Sequence, residues 1–231
     1  MTIYDLKKVM KSFDDSFYYK NGKLKMIFSR NQKMIETTEA NPGKYFINVN
    51  LPARITCPCR GECEEFCYAT QGRYVFKNVI ESMEFKYKMS KLEEFRWFVF
   101  EELKYWRRKA KGAELYVRVH DSGDYYSIEY ARKWLDIARD NPDCVFYSYT
   151  KCVDMWHTLY DNNEVPENYR IIMSTQGSQD LLIRPDDRIA IVVQDESCIK
   201  EGMVNGTGND YYATYAKIVA LPYHGSKKVK V

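Results

Sequence analysis

From Leu115 to Val193 the chain alternates short apolar runs with amphipathic stretches, and this alternation constrains the fold more than any other feature. Leu115-Tyr-Val-Arg-Val-His and Cys144-Val-Phe-Tyr-Ser-Tyr read as strands, and Ile128 to Ala138 between them has helical spacing, which makes a βαβ unit. Trp156 to Tyr160 reads as a brief helix, and Tyr169-Arg-Ile-Ile-Met-Ser and Arg188-Ile-Ala-Ile-Val-Val supply two further strands. Strand and crossover in alternation imply an α/β fold: a parallel sheet covered by helices, open or closed into a full or partial (β/α) barrel. Such folds place ligands at the C-terminal ends of their strands. Those ends read His120-Asp-Ser-Gly-Asp, Tyr149-Thr-Lys, Ser174-Thr-Gln-Gly-Ser and Gln194-Asp-Glu, polar groups presented by apolar strands.

Upstream, apolar residues at Leu6, Met10, Phe13 and Phe17 predict a short amphipathic helix over Tyr4 to Phe17. Lys25 to Arg30 and Tyr45 to Leu51 are β-rich runs on either side of an Asn41-Pro-Gly turn, so two strands are expected, the second leading into a cysteine-rich loop. Asn78 to Lys111 lacks Gly and Pro and keeps helical spacing from Ile80 to Trp106, predicting one long helix or two. With 231 residues, no internal repeat and no linker, residues 1–231 are expected to form a single domain.

Four of the seven cysteines, Cys57, Cys59, Cys63 and Cys67, fall within eleven residues, whereas Cys144, Cys152 and Cys198 are scattered. The first residues carry no secretory signal and no apolar run is long enough to span a bilayer, so a cytoplasmic location without a membrane is expected. In that setting a disulfide framework is disfavoured and metal or redox chemistry is the leading explanation of the clustering. Thiolates serve both zinc and iron-sulfur clusters, so spacing has to discriminate. A structural zinc usually takes two ligand pairs separated by a spacer, which is missing here. Three closely spaced cysteines can instead wrap one corner of a 4Fe-4S cubane and leave its fourth iron open to a substrate or cofactor. Zinc, or packed thiols without metal, remain the alternatives.

Among the strand-end residues, His120, Asp121 and Asp124 are placed where acid-base or cofactor-binding groups gather, although Asp124 or Ser127 could equally cap the next helix. Lys151 is positioned to hold a carboxylate or phosphate; Ser174, Thr175 and Gln176 could line the same mouth or merely form a turn. His157 reads as structural, and His224 could fold back to the site or sit in a plain turn. No G-x-S-x-G elbow and no G-x-x-x-x-G-K-[ST] loop is present, which argues against a serine hydrolase and a phosphate-cradling loop. A net charge of +3 with short basic runs at Arg107 to Lys111 and Lys227 to Lys230 permits nucleic-acid binding without arguing for it.

The segment Thr56-Cys-Pro through Cys63 and Cys67-Tyr-Ala resembles the gene product 88 family of tailed bacteriophages. Phe28-Ser-Arg-Asn-Gln-Lys, Asn50-Leu-Pro-Ala, Gly72-Arg-Tyr, Arg118 to Ser127, Phe146 to Lys151 and His224-Gly are similar to that family's motifs. The resemblance runs from about residue 25 onward. It implies a phage origin, and it favours Cys57, Cys63 and Cys67 as the ligand trio with Cys59 as an extra cysteine. The layout is also similar to that of radical S-adenosylmethionine enzymes, where one strand delivers three loop cysteines and the next a small Gly-containing turn. That resemblance assigns Ser122-Gly123-Asp124 to the turn, with Asp121 beside it, and Phe66 to the adenine side. It implies an open iron that takes S-adenosylmethionine; Lys151, by its strand-end position, is expected to contact that cofactor. The spacing C-x5-C-x3-C, or C-x3-C-x3-C with Cys59, departs from the C-x3-C-x2-C of those enzymes. The contrasting expectation is a metal-stabilised, non-catalytic module that binds a host protein or nucleic acid.

Overall fold

The computed structural model describes residues 10–11, 13–18 and 21–223. Seven strands pair in the order β1-β2-β3-β4-β5-β7-β6, all parallel, and curl into a half-barrel. They are β1 (Lys44–Asn48), β2 (Glu114–Arg118), β3 (Cys144–Thr150), β4 (Tyr169–Ser174), β5 (Ile189–Val193), β6 (Val204–Asn205) and β7 (Ile218–Pro222). Five α-helices accompany them among the described residues: α1 (Gln32–Ala40), α2 (Lys77–Lys91), α3 (Phe95–Ala110), α4 (Ile128–Asp140) and α5 (Val153–Asp161). The parallel α/β architecture expected from the alternation is therefore present, in its partial-barrel form.

Successive strand residues point to opposite faces of a sheet, and both faces here are apolar. Ile47, Val117, Phe146 and Ile171 point outward and pack with Val99, Leu103, Trp134 and Leu135 of α3 and α4. Their neighbours Phe46, Tyr116, Tyr147 and Ile172 point inward and form a separate cluster with Met34 of α1, Ala190, Ala213 and Val219. Helix α1 and the 3-10 segment Asp210–Thr214 lie against the inner face, so the half-barrel's interior is filled by chain. Helix α4 starts where Ser127 accepts a hydrogen bond from the Tyr130 N–H at 3.2 Å; Ser127, and not Asp124, is its cap.

Several expectations are corrected. Lys25 to Arg30 is not a strand: it makes one bridge, Ser29 to Asn48, and the Ile27 and Phe28 N–H groups donate instead to the Glu102 carboxylate, at 2.7 and 2.8 Å. The stretch Asn78 to Lys111 takes the two-helix form of the two that were expected, because Leu92 at the end of α2 turns to extended backbone. Helix α1, β6 and β7 were not foreseen. Of the N-terminal helix, residues 10–11 and 13–17 are described, with a 3-10 turn at Asp15–Phe17; residues 4–9 and 12 of that expectation, and His224, lie outside the described residues.

A cysteine-lined cavity at the strand ends

Beyond β1 the chain runs Asn50-Leu-Pro-Ala and enters the cysteine loop, which contacts on two sides lock in place. The turn after β2 stacks on its start: the Leu51 N–H donates to Ser122 O at 2.8 Å, Ser122 Oγ donates to Leu51 O at 2.9 Å and the Asp124 N–H donates to Thr56 O at 3.2 Å. Gly123 sits at φ +81°, and a Cβ there would lie 2.5 Å from Thr56 Oγ1 and 2.7 Å from Leu51 Cβ, so only glycine fits. On the other side Arg60 bridges to Gly177, and the Cys63 N–H donates to Gln176 O at 3.0 Å.

These contacts leave an open cavity of about 520 Å³ over the C-terminal ends of the strands, a size suited to a small-molecule cofactor. Cys57, Cys63 and Cys67 line it, together with Phe66, Asp121, Ser122, Gly123, Asp124 and Lys151. Cys59, the fourth cysteine of the loop, does not; it packs against the outer core beside Cys152. The sequence expectation is thus brought together at one place, with Cys59 turned away from it. Burial, the charge of Asp124 and the nearness of Cys67 and Cys63 push the Cys57 thiol up to about 12, and burial together with Cys63 raises Cys67. The three sulfurs share a wall without converging on a point: among the described residues no group of three or more His, Cys, Asp or Glu side chains is drawn closely enough to hold a metal ion.

Asp124 is buried, and its carboxylate accepts from the Tyr125 N–H (2.8 Å), Thr150 Oγ1 (2.7 Å) and the Lys151 N–H (2.8 Å). Burial raises its pKa against these donors. A carboxylate has about four lone-pair positions, so one acceptor site remains on Oδ2. The Lys151 ammonium donates to Ser174 Oγ at 2.9 Å and to the Thr175 carbonyl, acceptors that carry no charge. Thr175 and Gln176 face a neighbouring hollow rather than the main cavity. His157 pairs with Asp187 at 2.9 Å, away from the site, as the structural reading expected.

Other lining residues were missed by sequence reasoning. Asp121 accepts from Asn31 Nδ2 at 2.9 Å and the Tyr74 hydroxyl at 2.8 Å, its backbone carbonyl accepts from the Tyr68 hydroxyl, and Arg118 lies 3.4 Å away. Behind them, buried Asp210 accepts from Lys33 (3.0 Å), Arg118 (3.2 Å) and the Tyr147 hydroxyl (2.7 Å). Burial would raise its pKa, but the Arg118 and Lys33 charges prevail and hold it down to about 2. Tyr223 meets Phe66 edge-on, with ring centroids 5.5 Å apart, on the cavity's aromatic side. Tyr74 and Arg118 stood within recognisable motifs; Lys33, Asp210 and Tyr223 carried no local signal.

Backbone strain gathers here. His120 and Gln176 adopt left-handed conformations at φ 65° and 69°, and Arg54, at the entrance to the cysteine loop, does so at 67°. Such conformations in non-glycine residues persist where surrounding structure imposes them, commonly at functional sites.

A family model described as Gene product 88 matches residues 25–228. No curated protein matches the chain, and no solved structure does. Among the described residues, no helix is long and apolar enough to cross a membrane.

Proposed function

The chain belongs to the gene product 88 family of phage proteins, and we propose that its strand-end cavity is a cofactor site of the radical S-adenosylmethionine type. Cys57, Cys63 and Cys67 would hold an iron-sulfur cluster of the 4Fe-4S kind, and S-adenosylmethionine would lie between that loop and the Ser122-Gly123-Asp124 turn. The observation that carries the reading is that the trio of thiols and this turn, supplied by different strand ends, line the same cavity while Cys59 does not.

The donor set fits in kind. Three thiols on one wall are what a cluster with one open iron requires, and metal binding would displace their protons. A cluster held by Cys57, Cys63 and Cys67 would supply one-electron chemistry toward S-adenosylmethionine bound beside it.

The chain's own residues have roles that follow from their placement. Gly123 lets the backbone approach a ligand from the turn side, since it has no side chain to intervene. Asp124, fixed by three donors, presents its remaining Oδ2 position to an ammonium group. Lys151 offers its charge to a carboxylate without first breaking an ion pair. Phe66 and Tyr223 provide aromatic surface for a purine.

The test is anaerobic purification followed by iron, sulfide and zinc analysis, with absorption and electron paramagnetic resonance spectra recorded with and without S-adenosylmethionine. About four irons and four sulfides per chain, with a spectrum that the cofactor perturbs, support the proposal. Zinc near one per chain without iron overturns it and leaves a metal-stabilised module whose partner is a host protein or nucleic acid.

A further inference from the structure

The cavity has a second pole at the mouth of the half-barrel, built from other elements than the cysteine loop. Arg118 and Tyr149 line it from the inward face of β2 and β3, each two residues beyond an inward-pointing tyrosine, Tyr116 or Tyr147. Helix α1 begins at the same mouth: the N–H of its cap Asn31 donates to Asn48 Oδ1 at the end of β1, at 3.3 Å, and Asn31 and Lys33 both line the cavity. Lys33 Nζ donates to Gly206 O at 2.9 Å, which sets Thr207, also on the cavity wall, beside the helix start.

The acceptors at this pole are largely taken. Buried Asp210 accepts at four positions, from Lys33, Arg118 and the Tyr147 and Tyr149 hydroxyls, which is all a carboxylate offers. Asp121 serves Asn31, Tyr74 and Arg118. What is left over is mostly donors. Arg118 is 8% exposed, yet its Nε has no hydrogen-bond partner among the described residues, and neither has Thr207 Oγ1. An unmet buried donor is costly, and the cost is recovered when an acceptor arrives. Lys33 has three ammonium protons and two acceptors, Asp210 and Gly206 O. The first-turn N–H groups of α1 have no acceptor inside the helix, and its dipole adds positive potential at that end.

We propose that this pole binds the phosphate group of a small phosphorylated molecule. Its donors come from three elements, β2, the start of α1 and the turn after β6, which Lys33 ties together through Asp210 and Gly206. Two cations and a helix N-terminus favour an anion, and donors from three directions suit the three oxygens of a phosphate better than the two of a carboxylate. The sequence shows no phosphate-cradling motif because these donors stand far apart in the chain, at residues 33, 118 and 207. With its phosphate held here, the rest of the molecule extends through the cavity toward the thiol wall. Calling that molecule the substrate rests on the cofactor reading; the binding of phosphate does not.

The experiment titrates inorganic phosphate into the full chain by calorimetry, in phosphate-free buffer at constant ionic strength, with acetate as the comparison anion. The expected result is saturable binding of one phosphate per chain and at least tenfold weaker binding of acetate. Thr207→Val, which changes a half-buried residue, should weaken phosphate by about tenfold or more, as loss of a hydrogen bond to a charged group does. Lys33→Gln should weaken it at least as much, and thermal unfolding shows whether each variant is folded. No saturable phosphate binding, acetate binding as tightly, or an affinity that falls in Lys151→Met but in neither Thr207→Val nor Lys33→Gln overturns the proposal. Iron analysis of the same preparation reports separately on the cluster, so either reading can fail without the other.

Discussion

Replacing Gly123 by alanine measures how tightly the strand-end turn is pressed onto the cysteine loop, and Gly43→Ala supplies an internal reference. Both glycines are left-handed, at φ +81° and +82°, so both substitutions carry the same backbone penalty, about 1–2 kcal/mol. Both also gain the same small benefit from a stiffer unfolded chain. They differ in space. Nothing lies within 4 Å of a Cβ on residue 43, whereas on residue 123 it would stand 2.5 Å from Thr56 Oγ1, 2.7 Å from Leu51 Cβ and 3.2 Å from Leu51 O. Forced overpacking of this kind costs about 1–3 kcal/mol. For a chain of 231 residues each kcal/mol moves Tm by about 2–4 °C, so Gly123→Ala should melt about 2–12 °C below Gly43→Ala. Differential scanning calorimetry on the two variants, prepared identically, reads the difference. Equal melting temperatures would refute the close packing of turn on loop, and with it the argument that this turn shapes the cavity.

Three further outcomes are expected. His120 is buried and its pKa is lowered by burial to about 3, so it contributes stability above its unfolded value near 6.5 that is lost as pH falls toward 3. Relative to His120→Asn, chosen because Asn tolerates φ > 0, the wild type should lose about 2–3 kcal/mol between pH 7 and 4.5 in urea titrations; parallel pH profiles would contradict this. Asp210→Asn strips buried Arg118 of its 3.2 Å partner and should cost about 3–5 kcal/mol in the same assay. A loss under 1 kcal/mol would show that the pair is not confined as described. Lys151→Met should weaken S-adenosylmethionine binding by tenfold or more in calorimetry while leaving iron content unchanged, and undiminished affinity would remove Lys151 from the site.

The parts of the fold that could be read from sequence are those whose signal is local. Strands β2 to β5 announce themselves because a sheet covered on both faces writes continuous apolar runs such as Ile189-Ala-Ile-Val-Val. Helix α1 escaped because it buries only Met34 and Thr37, too little for a visible periodicity, although its cap Asn31 is a recognisable start. Strand β6 is two residues long, below any pattern. Lys25 to Arg30 misled in the other direction: it looks β-rich, but its N–H groups are claimed by Glu102, 74 and 75 residues away, and no window of sequence shows that. The site divides in the same way. Clustered cysteines and a Ser-Gly-Asp strand end can be seen in one dimension. The turning away of Cys59, and the convergence of Asn31, Tyr74 and Arg118 on Asp121, exist only after folding.

The inner face of the half-barrel sets a timetable for synthesis. Its filling depends on contacts between the two ends of the described chain: Lys33 donates to Gly206 O across 173 residues, and the Asp210 N–H donates to Thr37 Oγ1 across the same separation. At the usual 5–20 residues per second, a ribosome needs about 9–35 s to make that span. From Tyr147 to Ala213 is a further 66 residues, so for about 3–13 s Phe46, Tyr116 and Tyr147 have all been made while Ala213 and Val219, which help to cover them, have not. A nascent chain of this protein therefore carries an uncovered aromatic face late in its synthesis, and expression yield should respond to chaperone supply and elongation rate more than the stability of the finished molecule would suggest.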